Sequence, residues 1–198
     1  MRKLIVTNIV SLDGYYEGPN RNVMALPMDH IFDDHNVERL RAADTLLLGR
    51  TTYEMFKGFW PQMATNPNAG PAHREISRLD DAIAKVVVSD TLTVADTDPW
   101  RDTTHILRRA QAHQAIAALK RTPGKDILVF GSRTLWNDLV EAGLVDELHL
   151  MIGPVVLGSG TPAFVRPPPS PLRPIGTRTW EGSGNVLVQY ALKSHSDS

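Results

Sequence analysis

A chain of 198 residues with 42% apolar content and a formal net charge of −1 is long enough to bury a full core, and it carries no long-range field for nucleic acid or an anionic membrane. Cysteine is absent, which leaves no disulfide frame and no thiolate zinc site and suits a cytoplasmic protein. No apolar run approaches the ~20 residues of a membrane-spanning helix, and MRKLIVTNIV leads into SLDGYYEG rather than a small-residue cleavage site, so it reads as a strand.

Residues 3–10 form the first predicted strand, and residues 11–28 a long loop that holds the turn Ser11-Leu12-Asp13-Gly14. Loops of that length inside compact domains are often functional. In residues 29–43, Ile31, Phe32, Val37 and Leu40 recur among charges at a spacing that predicts a helix packed on a sheet. Residues 45–48 read as a buried strand, Gly49-Arg50 turns the chain, and Thr51-Thr52-Tyr53-Glu54 has the form of a capping box at a helix start. Residues 58–71 make a second long loop, anchored by Phe59 and Trp60. A short helix over 73–82, a buried strand over 84–89 and a polar stretch over 90–102 follow. A short strand over 104–107 and an alanine-rich helix over 110–121 come next, ended by Thr122-Pro123-Gly124.

The centre of the chain is residues 126–164. Ile127-Leu128-Val129-Phe130 is a continuous apolar run too short for a helix, the pattern of a strand buried on both faces of a parallel sheet. Gly131-Ser132 turns the chain, Leu135, Trp136, Leu139 and Val140 recur at helical spacing as far as Gly143, and a second strand spans 145–152. Such a strand-helix-strand unit places free N–H groups at the carboxyl edge of the sheet, where a cofactor phosphate fits. Residues 166–174 are proline-rich and include a PxxP core, read as a stiff connection rather than a docking motif. Residues 174–181 and 185–193 alternate and predict an antiparallel hairpin closing one edge, with a frayed tail at 194–198. One α/β domain over residues 1–193 is the economical reading.

VSLDGYYEG, LLLGRTTYEMF, VVVSDTL and VFGSRTLWNDLVEAGLVDELHLMIGPVVLGSGTPAF, in this order and spacing, resemble the dihydrofolate reductase superfamily. The resemblance covers nearly the whole chain and is closest to stand-alone proteins similar to the reductase domain of riboflavin biosynthesis. It implies a dihydrofolate-reductase-like fold: a mostly parallel central sheet flanked by helices, with a C-terminal antiparallel hairpin. It implies an NADPH-dependent reductase acting on a flat heterocycle such as a pterin or pyrimidine, with NADH as the other cofactor. The other readings are the riboflavin-pathway reductase of a ribosylaminouracil phosphate and a non-catalytic nucleotide-binding protein.

By this resemblance the dinucleotide is held by Gly49, Arg50, Thr51, Thr52, Ser89, Gly131, Ser132, Arg133, Thr134 and Leu135. Many relatives carry Gly-Gly where this chain has Gly131-Ser132. Arg50 offers a charged fork to phosphate, and Arg108-Arg109 is the other basic candidate. Asp13, Gly14, Tyr16 and Phe32 are placed beside the substrate, with Asp13 and Asp33 as the acidic catalytic candidates. Asp-Gly also serves ordinary turns, and the Asp33-Asp34 pair also suits a solvated helix face. His30 and His35 are poorly spaced for one helix face, so no metal is expected, and no nucleophile elbow surrounds Ser11 or Ser132. An exposed hairpin edge with Val186, Val188 and Tyr190 on one face predicts a homodimer.

Overall fold

Short apolar runs bury alternate residues on opposite faces of a sheet, and this dictates the architecture. The computed structural model describes residues 1–192. In chain order these form β1 (Leu4–Ser11), β2 (Tyr15–Glu17), α1 (His30–Ala42), β3 (Ala43–Gly49) and α2 (Arg50–Phe59). Then come α3 (Pro71–Ala82), β4 (Ala84–Val88), β5 (Thr104–Leu107), α4 (Ala112–Arg121) and β6 (Asp126–Phe130). The rest is α5 (Arg133–Glu141), β7 (Glu147–Gly153), β8 (Thr161–Pro162), β9 (Leu172–Thr179) and β10 (Val186–Leu192). The main sheet has eight strands in the order β5-β4-β3-β6-β1-β7-β10-β9. The strands from β5 to β7 run parallel, and β10 and β9 add the antiparallel hairpin.

On β6, Ile127 and Val129 pack in one cluster with Ile116 of α4 and Trp136 and Leu139 of α5. Leu128 and Phe130 pack in another with Val37 and Leu40 of α1 and Ile76 of α3. Each fully buried side chain of this kind contributes about 1.5–3 kcal/mol, so the central strands are anchored from both faces. Rigid strands hold their carboxyl ends at one edge. That edge carries the loops of interest.

Several details differ from the sequence expectations. The capping box does not form: α2 is capped by Gly49 without a side-chain hydrogen bond, and Glu54 instead pairs with Arg50. Proline at the first helical turn starts α3 at Pro71, inside the expected loop. The long first loop contains β2, which pairs with β8 in a small second sheet. β10 lies between β7 and β9, with Val188 against the main core, so it is not an edge. The edge on the hairpin side is β9, where Pro174 removes a donor and the ladder shifts register opposite Gln189/Tyr190. The expected frayed tail lies outside the described residues.

Candidate active site

Two strand-to-helix turns meet at the carboxyl edge. Gly131 and Ser132 both adopt left-handed backbone conformations, with φ of 53° and 52°, between β6 and α5. For serine this costs about 1–2 kcal/mol, and local bonds hold it there. The Ser132 amide donates to Thr52 Oγ1 at 2.8 Å, and the Ser132 hydroxyl accepts from the Gly49 amide at 3.0 Å. The two turns are therefore one unit. A Cβ on Gly131 would lie 2.9 Å from Thr52 Cγ2 and 3.2 Å from the Tyr16 hydroxyl, so only glycine fits. Asn8 of β1 reaches the same turn, its Nδ2 donating to the Gly131 carbonyl at 3.4 Å.

The surrounding cations come from the turns and helix starts that follow neighbouring strands. Arg50 donates to Glu54 at 2.9 Å and to the Thr91 hydroxyl at 2.7 Å, which places its guanidinium beside the loop after β4. Ser89 ends that strand but turns inward: its buried hydroxyl accepts the Thr91 and Leu92 amides at 3.2 and 2.9 Å. Arg108 donates to the Ser89 carbonyl at 3.1 Å, and the Arg109 amide donates to Asp90 at 3.0 Å. Thr51 and Thr134 are exposed at the two helix starts, whereas Leu135 leans into the core. Arg133 Nε donates to the Pro162 carbonyl and so ties α5 to β8.

The other half of the edge lies beyond β1 and β7. Asp13 is fixed there by the Ser11 hydroxyl at 2.6 Å, the Leu157 amide at 3.1 Å and the Gly158 amide at 2.7 Å. The Ser11 bond, helped by the two amides, holds its carboxyl down to about 2, so it is ionised at neutral pH and is no proton donor. Gly14 follows with a positive φ of 85° in the same turn. Burial pushes the Tyr16 hydroxyl up to about 12, with Glu17 adding to the effect, so it remains a neutral donor. Phe32 packs in a small apolar cluster with Ile9, Leu26, Met151, Leu157 and Trp180. Asp33 faces α3, pairing with His73 Nε2 at 2.9 Å. Burial raises its pKa although His73 opposes the shift.

The expected residues thus divide. Gly49, Arg50, Thr51, Thr52, Gly131, Ser132, Arg133 and Thr134 gather at the paired turns, where the Tyr16 hydroxyl also reaches Gly131, while Asp13 and Gly14 lie in the turn after β1 and Phe32 in the apolar cluster around Ile9. Asn8 and Asn137 were missed. Asn137 Nδ2 donates to the Ala163 carbonyl and its Oδ1 accepts the Val165 amide, at 3.0 and 2.8 Å, which fastens the segment after β8 to α5. Its place on a helix face gave no signal, since its partners lie 26 and 28 residues away.

The model of the RibD C-terminal domain matches residues 2–187. The chain belongs to that family. A family relative, the uncharacterized protein YyaP of Bacillus subtilis (strain 168), is 33% identical over 190 residues, which cover 96% of this chain and 94% of the relative. The crystal structure of a pyrimidine reductase-like protein from Corynebacterium diphtheriae superposes with a TM-score of 0.65 at 14% identity, covering 97% of this chain and 92% of that one. Dihydrofolate reductase from Enterococcus faecalis, complexed with NADP(H) and RAB-propyl, gives 0.59 at 13% identity over 96% of each chain. The expected fold, dihydrofolate-reductase-like with its C-terminal hairpin, is the observed one. Among the described residues no helix is long and apolar enough to cross a membrane.

Proposed function

We propose that this chain is a cytoplasmic, nicotinamide-dependent reductase whose residues 1–193 act as one domain, with NADPH as the cofactor and a flat heterocycle as the substrate. The observation that carries this reading is the latched pair of turns. Gly131 holds a left-handed turn against which Thr52 and Tyr16 leave no room for a Cβ, the starts of α2 and α5 meet at one edge, and Arg50 and Arg108 bond to the loop after β4 beside it. This set fits a pyrophosphate with a further phosphate on the adenosine side. Bound NADPH would supply the hydride to the heterocycle.

The chain's own residues then have distinct tasks. Gly49, Thr51, Thr52, Gly131, Ser132, Arg133 and Thr134 hold the dinucleotide, and Leu135 fixes the start of α5 from the core. Ser89 shapes the loop that presents Thr91 to Arg50. Asp13 holds the loop around Leu157 and Gly158, a positioning task suited to its permanent charge. Gly14, Tyr16 and Phe32 wall the substrate space. Asp33, whose pKa is raised, is the carboxyl able to retain a proton nearer neutrality.

The family match also favours the riboflavin-pathway reductase as a second reading. Calorimetry with NADPH and NADH tests cofactor binding, and loss of reduced-nicotinamide absorbance in the presence of oxidised pterins and pyrimidines tests turnover. Tight NADPH binding with no turnover on any of them would leave a nucleotide-binding protein. The exposed backbone of β9 supports a homodimer through this edge. A single-chain mass by light scattering over a wide concentration range would rule that out.

A further inference from the structure

Two buried polar residues line one small cavity without finding a partner. The cavity, about 20 Å³, lies between α1, α2, α3 and the end of β6. Asn36 of α1 and Asp80 of α3 form part of its wall, and the rest is apolar or aromatic, with Phe56, Trp60 and Phe130 among the side chains. Asp80 is 1% exposed and Asn36 8%. Among the described residues, Asn36 Oδ1 and both carboxyl oxygens of Asp80 have no hydrogen-bond partner. Buried polar atoms in folded proteins are nearly always paired, with protein or with ordered water.

The polar groups nearby are committed elsewhere. The Lys85 amine donates to the Asp80 and Ile83 carbonyls and to the Thr103 hydroxyl. The Ser77 hydroxyl donates to the Trp60 carbonyl at 2.7 Å and accepts the Ala64 amide at 3.1 Å, and Asp81 accepts the Trp100 indole N–H at 2.6 Å. A water molecule needs about 10–15 Å³ and two to four polar partners, whereas a purely apolar cavity stays dry. Here the amide oxygen of Asn36 accepts, and the Asp80 carboxyl accepts when ionised and also donates when protonated. Burial raises its pKa to about 7, which keeps a donor present near neutral pH.

We propose that this cavity is a binding site for one internal water molecule, which donates to Asn36 Oδ1 and bonds the Asp80 carboxyl, joining α1 to α3. The same two helices carry the pair of Asp33 and His73, so the water is a second polar tie between them. Phe130, in the wall, is the last residue of β6, and the bridge therefore adjoins the strand that leads into Gly131 and Ser132. The site stands whether or not the chain is a reductase.

A crystal structure of the full chain, grown near neutral pH and at a resolution that shows ordered solvent, is expected to hold a water within hydrogen-bonding distance of both Asn36 and Asp80. A dry cavity, or the two side chains bonded directly to each other, overturns the proposal. A double-mutant cycle checks the link in solution through the urea midpoints of Asn36→Leu, Asp80→Leu and the double variant. Each single change strands the other polar group and should lower the midpoint, whereas the double change removes both and should lose less than the two separate losses together. Strictly additive losses overturn the bridge. If a leucine variant does not fold, the wild-type crystal decides alone.

Discussion

The backbone amide of Ser132 donates to the hydroxyl of Thr52 at 2.8 Å, so the turn after β6 is fastened to the first turn of the helix after β3. Neither turn moves without the other. On the proposed reading, a phosphate seat assembled before the ligand arrives loses less ordering entropy on binding, and such pre-organisation contributes directly to affinity.

Thr52→Val keeps the shape of the side chain but removes the acceptor. Both Thr52 and Ser132 are buried, so the Ser132 amide is left unpaired away from water. The expected cost is about 1–3 kcal/mol in urea unfolding, together with weaker NADPH binding. Thr52→Ser should retain most of both. Equal stability of the valine and wild-type proteins would show that the latch contributes nothing.

Gly131→Ala tests the left-handed turn. A left-handed residue with a Cβ costs about 1–2 kcal/mol, and the added methyl meets Thr52 Cγ2 at 2.9 Å. Stability is therefore expected to fall even without cofactor, and Gly131→Val should fall further. Cofactor affinity should be measured well below the melting temperature of each variant. An alanine variant as stable as wild type would mean that the turn can relax.

The two strand-glycine-helix units were legible because Leu46 to Leu48 and Ile127 to Phe130 are unbroken apolar runs, each followed at once by a glycine. Their mutual latch was not, because Thr52 and Ser132 are 80 residues apart and look like ordinary helix-start residues. β2 and β8 escaped notice because three and two residues carry no periodicity. Buried ionisable groups were hidden for a different reason. Lys85 sits within a strand read as apolar, yet it is fully buried, with its amine on the Asp80 and Ile83 carbonyls and over the Trp100 ring. His35 and Asp80 belong to helices whose charge patterns resemble solvated faces, and only the packing of α1 and α3 encloses them. Asp33 read as half of an exposed acidic pair, but its partner His73 comes from the other helix.

Arg50→Ala should separate binding from stability. The pair with Glu54 is exposed and spans one helical turn, so its loss should cost no more than about 0.5 kcal/mol. A charge-assisted contact to phosphate contributes about 1.5–3 kcal/mol, so NADPH affinity should drop roughly tenfold or more. A larger loss for NADPH than for NADH in parallel titrations would place the guanidinium at the extra phosphate. Unchanged affinity for both would remove Arg50 from the cofactor site.

Two buried groups oppose each other in their effect on stability with pH. Burial lowers the pKa of His35 to about 4, with Arg39 and His149 adding to the shift, and neither ring nitrogen has a partner among the described residues. Between its unfolded value near 6.5 and about 4 the unfolded chain holds the extra proton, so stability is lost as pH falls through that window. His149, also lowered by burial, acts in the same direction. Asp80 is raised by burial to about 7, with Lys85 opposing, and both carboxyl oxygens lack partners among the described residues. Here the folded chain holds the extra proton, so this contribution is present below about 3.8 and is lost as pH rises to about 7. Lys85, lowered to about 8 mainly by burial, begins to matter only above that window. Each full proton difference is worth about 1.4 kcal/mol per pH unit, so the wild type should show a shallow profile between pH ~4 and ~7 where opposite slopes cancel. Asp80→Asn should expose the histidine term and lose stability steeply on acidification. His35→Gln removes one of the two opposing histidines and should tip the profile toward loss of stability as pH rises, with His149 still opposing in part. Urea midpoints across the window decide it: parallel profiles for the three proteins would show that neither group titrates differently on folding.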